Sequence, residues 1–91
     1  NDRLAIGFLA AAYEMGLLVG RGNGCALRVA GHDNHSYSRF TCPALTTVSH
    51  DYDAISRTSV TRLFDLLENR EGGHSTDEQL FPGKLIMRDS A

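Results

Sequence analysis

Two histidine–aspartate pairs are the residues of this chain best equipped for chemistry. His32-Asp33 and His50-Asp51 each set an imidazole beside a carboxylate, and His35 lies close to the first pair. These are donor types that bind transition metals. Adjacent residues at the end of an extended segment point to opposite sides, so neither pair presents two ligands to one ion. No metal site is expected on that ground. Hydrolysis would need a nucleophile or an activated water with an oriented base. No GxSxG or HExxH occurs, and those are the arrangements that supply one. Ser49-His50-Asp51 holds the three residue types of a catalytic triad, but consecutive positions cannot form its relay. The reading is therefore not an enzyme, and a small metal-dependent hydrolase stands only as an alternative.

Non-covalent recognition suits the same residues better. Asp33 and His50 each follow a predicted strand, which places both at the carboxyl edge of a sheet, where open α/β sheets bind ligands. A carboxylate accepts two hydroxyl hydrogen bonds, an imidazole donates or accepts one, and the Asn1 amide does both. That set fits a polyhydroxylated ligand or a purine-like base. Tyr52 adds an aromatic face against which sugar C–H groups can pack. Each residue also has a plain structural role open to it. Asn1 can cap a helix, His50 and Asp51 can begin one, and Tyr52 can belong to a core.

The elements that position these residues follow from pattern. Asn1 caps a first helix, Asp2 suits the positive end of its dipole, and Gly16 ends it. Leu4, Phe8, Ala12 and Met15 fall on one stripe, widened by Ala5 and Leu9, and this stripe is expected to face the sheet. Ile6, Ala10 and Tyr13 lie on the opposite side. A helix apolar on nearly all sides needs a second partner. Gly20 to Gly24 is glycine-rich. It lacks the phosphate-loop pattern and stands between helix and strand in the wrong order for a dinucleotide fingerprint, so it reads as a connection. Leu27 to Gly31 and Leu45 to Val48 read as short strands. A second helix starts at Asp51 or Asp53 and runs to about Asn69, with Gly72-Gly73 ending it and a polar loop from His74 to Glu78. Leu80-Phe81 and Leu85 to Met87 read as terminal strands around Pro82-Gly83. The alternation predicts an α/β fold with a parallel sheet.

The chain has 91 residues, 42% hydrophobic and 22% charged. That is one small domain of ordinary soluble composition. Nine basic and eleven acidic residues give a net charge of −2. Lys84 is the only lysine, and the arginines are scattered, so no nucleic-acid-binding stripe is present. Cys25 and Cys42 form no CxxC and read as two reduced thiols. No apolar run approaches the roughly 20 residues of a membrane span. The chain opens directly on a helix signal, without an initiator Met or signal peptide, as a piece of a longer protein would.

Four stretches carry a resemblance. They are Asn1-Asp2-Arg3-Leu4-Ala5-Ile6-Gly7, Val29-Ala30-Gly31-His32-Asp33-Asn34, Pro43-Ala44-Leu45-Thr46-Thr47-Val48-Ser49-His50 and Leu85-Ile86-Met87-Arg88-Asp89-Ser90. In order, and over nearly the whole chain, they resemble the C-terminal part of the effector-binding domain of the lactose-repressor (LacI/GalR) family of bacterial transcription regulators. The Pro-x-Leu-Thr-Thr-Val element is the most specific, since ordinary periplasmic sugar-binding proteins of the same fold generally lack it.

The resemblance implies a partial Rossmann-like lobe of the type I periplasmic-binding-protein fold, with residues 1–91 as the second half of the C-terminal lobe. The helix-turn-helix headpiece, hinge and N-terminal lobe would lie outside the chain. It implies a cytoplasmic ligand sensor that binds a small sugar-like effector between two lobes and controls operator DNA through the headpiece. Asn1, Asp33, His50 and Tyr52 would line the cleft. Ile6, Ala10, Tyr13, His35 and Arg39 would meet a second copy in a homodimer. No cofactor, resident metal or membrane partner is implied. The alternative within the fold is a lobe of an extracytoplasmic solute-binding protein. The chain departs from the family at His32, where Phe or Tyr is usual, and at His50, where Gln is common. Its glycine-rich loop is also longer than usual.

Overall fold

The computed structural model describes residues 1–68 and 79–91. It divides into two compact units, Asn1–His50 with Gly83–Ala91, and Asp51–Pro82.

The first unit opens with helix α1, Asp2–Glu14. The Asn1 side chain accepts from the Leu4 amide at 3.0 Å, so the expected cap forms. Beyond the helix, Gly16 takes φ +71°, the left-handed conformation that reverses the chain at little cost for glycine. Only part of the expected stripe is buried. Asp2, Ala5, Leu9 and Ala12 are buried, whereas Leu4, Phe8 and Met15 are 75%, 54% and 73% exposed. The stripe that turns inward holds the small residues Ala5 and Ala12 together with Leu9 and Asp2. The core consists of Ala5, Leu9, Val29 and Leu45, with Ile6, Val19 and Leu27 packed against it.

The parallel sheet is reduced to single bridges. Val19 pairs with Leu27 and Ala30 with Thr46, both parallel and both isolated. The Gly31 amide donates to the Thr46 carbonyl at 2.8 Å and the Asp33 amide to the Val48 carbonyl at 2.9 Å. Residues 29–33 therefore run alongside residues 44–48 in the expected direction, but without a continuous ladder. The only regular sheet among the described residues is antiparallel. Strand β1, Thr47–Ser49, pairs with β2, Lys84–Ile86, in the register Thr47 to Ile86, Val48 to Leu85 and Ser49 to Lys84. The C-terminal segment returns as an antiparallel edge, a common addition to α/β sheets. Leu80-Phe81 forms no strand. Next to it, Pro82 has no N–H to give to a ladder.

The second unit contains helix α2, Tyr52–Glu68. The Asp51 carboxylate accepts from the Ala54 amide at 3.0 Å, so Asp51 rather than Asp53 caps it. Asp53 instead pairs with Arg57 one turn on, at 3.0 Å. No residue of α2 is buried. The expected end near Asn69, the Gly72-Gly73 stop and the loop from His74 to Glu78 lie outside the described residues. Cys25 and Cys42 are free thiols. Among the described residues, no helix is long and apolar enough to cross a membrane.

Candidate functional site

The polar edge is organised by a residue that sequence reasoning treated only as a dipole partner. Asp2, in the first turn of α1, is almost fully buried. Its carboxylate accepts from the His35 amide at 2.7 Å, from the Thr47 hydroxyl at 2.7 Å and from the Ser38 hydroxyl. Its own amide donates to the His32 carbonyl at 3.0 Å. Burial by itself would raise the Asp2 pKa. The hydrogen bonds from Ser38 and Thr47, with those from the backbone of His35 and His32, outweigh it and hold the carboxyl below its ordinary value. Gly31 makes room for the arrangement. A Cβ on Gly31 would overlap Asp2 Oδ1 and stand 3.0 Å from Leu45 Cδ2. Spacing gave no sign of this hub, because its partners are distant in the chain.

The paired threonines have separate tasks. Thr47 serves Asp2 and also accepts from the Asn34 amide at 3.1 Å. Thr46 faces the C-terminus. Its amide donates to Ser90 Oγ at 2.8 Å, and its hydroxyl accepts from the Arg88 amide at 2.8 Å. Ser90 Oγ donates to the Val29 carbonyl. The Arg88 guanidinium reaches the Leu45 carbonyl at 2.9 Å and Asn34 Oδ1 at 3.2 Å. The four matching stretches thus hold one another together through buried hydrogen bonds.

At the edge supported in this way, His32, Asp33 and His50 meet. His32 Nδ1 lies 3.0 Å from Asp33 Oδ1, and His32 Nε2 lies 3.0 Å from His50 Nε2. The alternation expected of adjacent residues fails here because Asp33 takes φ +109° and Asn34 φ +52°. That left-handed turn brings the Asp33 carboxylate round to its neighbour's ring. Asp33 and His50 are therefore gathered as expected, with His32 between them. Asn1 neighbours the same strand end through Asp2, but its side-chain oxygen is engaged in the helix cap. Tyr52 begins α2 in the second unit and is half exposed.

The five residues expected at a dimer interface divide between two depressions. Ile6, Ala10 and Tyr13 line one of about 510 Å³ with Leu9, Thr41 and Cys42. His35 and Arg39 line another of about 280 Å³ with Asn34 and Arg88. Ile6 is half buried against the core, while Ala10 and Tyr13 are exposed.

A cluster of polar side chains thus sits at the shared end of two parallel segments, clamped to a helix N-terminus. The family model described as "Periplasmic binding protein-like domain" matches residues 1–91. The chain belongs to that family, and its relatives are LacI/GalR-type repressors. It is 33% identical over 91 residues to the lactose operon repressor of Klebsiella pneumoniae, covering 100% of this chain and 24% of that protein. The Escherichia coli K12 lactose operon repressor is 35% identical over 88 residues, covering 97% of this chain and 22% of the relative. Among solved structures, the Escherichia coli transcriptional repressor ascG superposes with a TM-score of 0.72 at 33% identity, covering 100% of this chain and 31% of that one. The lac repressor dimer bound to operator and the anti-inducer ONPF gives 0.76 at 32% identity, covering 99% and 29%. The chain thus spans about a quarter of the length of the curated relatives it matches.

Proposed function

We propose that these residues are the second half of the C-terminal lobe of the effector-binding domain of a LacI/GalR-type transcriptional regulator. The observation that carries the reading is the meeting of Asp33 and His50 at one strand edge, in a chain whose relatives are named as repressors. A small sugar-like effector binds against Asp33 and His50, with Asn1 as a further contact, and a second lobe closes over it. The protein is a cytoplasmic homodimer and not an enzyme. Effector binding shifts the population of lobe arrangements, and a headpiece outside this chain reads that shift out on operator DNA.

The test is Asp33→Asn in the full-length protein. Asn tolerates the positive φ at this position far better than Ala. Loss of a charge-assisted hydrogen bond should weaken effector affinity by about ten- to a hundredfold, with operator affinity retained. Unchanged effector affinity would remove Asp33 from the cleft. The 91-residue chain alone should give no calorimetric response to a sugar panel, because a small ligand must be buried on most sides.

A further inference from the structure

His32 and His50 present their Nε2 atoms to each other at 3.0 Å, with ring centroids 4.5 Å apart and planes tilted by 53°. The other nitrogen of His32 lies 3.0 Å from Asp33 Oδ1. A carboxylate only accepts, so in the neutral ring Nδ1 carries the proton and Nε2 the lone pair. That lone pair points at the nitrogen of a second ring. His50 donates to it when its own Nε2 carries the proton, and in the other tautomer two lone pairs meet, where a cation can be ligated by both. Metal–nitrogen bonds of about 2.0–2.1 Å put two neighbouring ligand nitrogens about 2.9 Å apart at a right angle and about 3.4 Å apart in a tetrahedron. The observed separation falls within that interval. A carboxylate behind a ligating imidazole is also the usual outer support of a metal-bound histidine. Ligand atoms of His32, Asp33 and His50 all lie within 4.8 Å of one another.

The rings are held where they are. The Asp33 amide is tied to the Val48 carbonyl. Gly83 backs the His50 ring so closely that a Cβ there would stand 3.2 Å from its Cε1. We propose that His32 and His50 form a binding site for a divalent transition-metal ion through their Nε2 atoms, with Asp33 as the residue that positions His32. Imidazole nitrogens select zinc, nickel, cobalt or copper over magnesium and calcium. Water or a chelating ligand would complete the coordination. The site does not depend on the sugar-effector reading, since it binds the bare ion.

The experiment takes the full-length protein, strips it with a chelator, and titrates it with Co²⁺ by visible absorption and with Zn²⁺ by calorimetry. Wild type should bind both with a dissociation constant of about 1–100 μM, zinc displacing cobalt. His50→Gln, which keeps a polar side chain of similar reach, should abolish binding, and His32→Ala should do the same. Asp33→Asn should weaken binding by about ten- to a hundredfold. Circular dichroism and operator binding confirm that each variant folds. Replacing both thiols, Cys25→Ser with Cys42→Ser, should leave the titration unchanged. No binding by wild type below about 1 mM, or binding that survives His50→Gln in a folded protein, overturns the site. A sugar panel run on the metal-free protein tests the effector reading separately, so either can fail alone.

Discussion

The Thr47 hydroxyl donates to the Asp2 carboxylate at 2.7 Å across 45 positions of sequence. This bond joins the first turn of α1 to the start of β1. With the Ser38 and His35 contacts on the other carboxylate oxygen, it fixes where the turn after Gly31 begins. Asp2→Ala strands two hydroxyls and an amide. It should cost about 3 kcal/mol or more, because each hydrogen bond to a charged group contributes roughly 1.5–3 kcal/mol. Asp2→Asn keeps the shape and should cost less. Chemical denaturation of the full-length protein and both variants measures the difference.

The same carboxylate gives the fold an acid-sensitive component. Its folded pKa is held below the ordinary value. A group depressed by folding stabilises the folded state above its unfolded pKa and loses that contribution as pH falls through the folded one. Stability should therefore drop below about pH 4. Asp2→Asn should flatten that part of the profile. A variant with the same acid limb as wild type would place the acid sensitivity elsewhere.

Gly31 and Asp2 should be coupled. Adding a methyl group at Gly31 forces it against Asp2 Oδ1 and Leu45 Cδ2. Gly31→Ala should cost about 1–3 kcal/mol through overpacking. In an Asp2→Ala background much of that penalty should vanish, because the carboxylate that clashes is gone. A double-mutant cycle reads the coupling, and additive losses would show that the two side chains act independently.

The sequence disclosed what is local and hid what is distant. The Asn1 cap, the reversal at Gly16 and the start of α2 follow from residues within a turn of each other, and they appear as read. The inward stripe of α1 was legible only in part: Ala5, Leu9 and Ala12 are buried as read, whereas Leu4, Phe8 and Met15, which hydropathy ranks above the alanines, are exposed. Closeness of backbone approach, which favours small residues, is set by what the helix packs on. Asp33 and His50 were legible as strand-end residues. His32 was not legible as the bridge between them, since alternation holds only for extended backbone and Asp33 leaves it. Asp2 was named for its helix dipole alone, because the donors that bury it are supplied by three other segments.

The exposed stripe of α1 makes a further prediction. Leu4 and Phe8 line an open depression of about 340 Å³ with Asn1, Arg28 and Ala30. The proposed reading expects the rest of the lobe to cover this face. Phe8→Ala in that protein should then cost about 3–5 kcal/mol, the figure for a buried ring. A cost within about 0.5 kcal/mol, typical of a surface position, would mean the face stays in water.

The opposite side of α1 is the place to test self-association, and the structure decides which residue to change. Ile6 packs against the core, so a charge there would disturb folding as well as any interface. Ala10 is exposed and lines the depression formed with Tyr13, Glu14, Thr41 and Cys42. Ala10→Glu retains helix propensity closely. It adds a second carboxylate beside Glu14. In a two-fold dimer the same patch is used by both copies, so the substitution acts twice and desolvates like charges together. Sedimentation of the full-length variant should show monomer where wild type is dimeric, with an unchanged far-ultraviolet spectrum. Edge-to-edge pairing of exposed strands is the competing route to association. It involves backbone amides, which Ala10→Glu does not touch. A variant that stays dimeric would therefore exclude the helix face and point to the sheet edge.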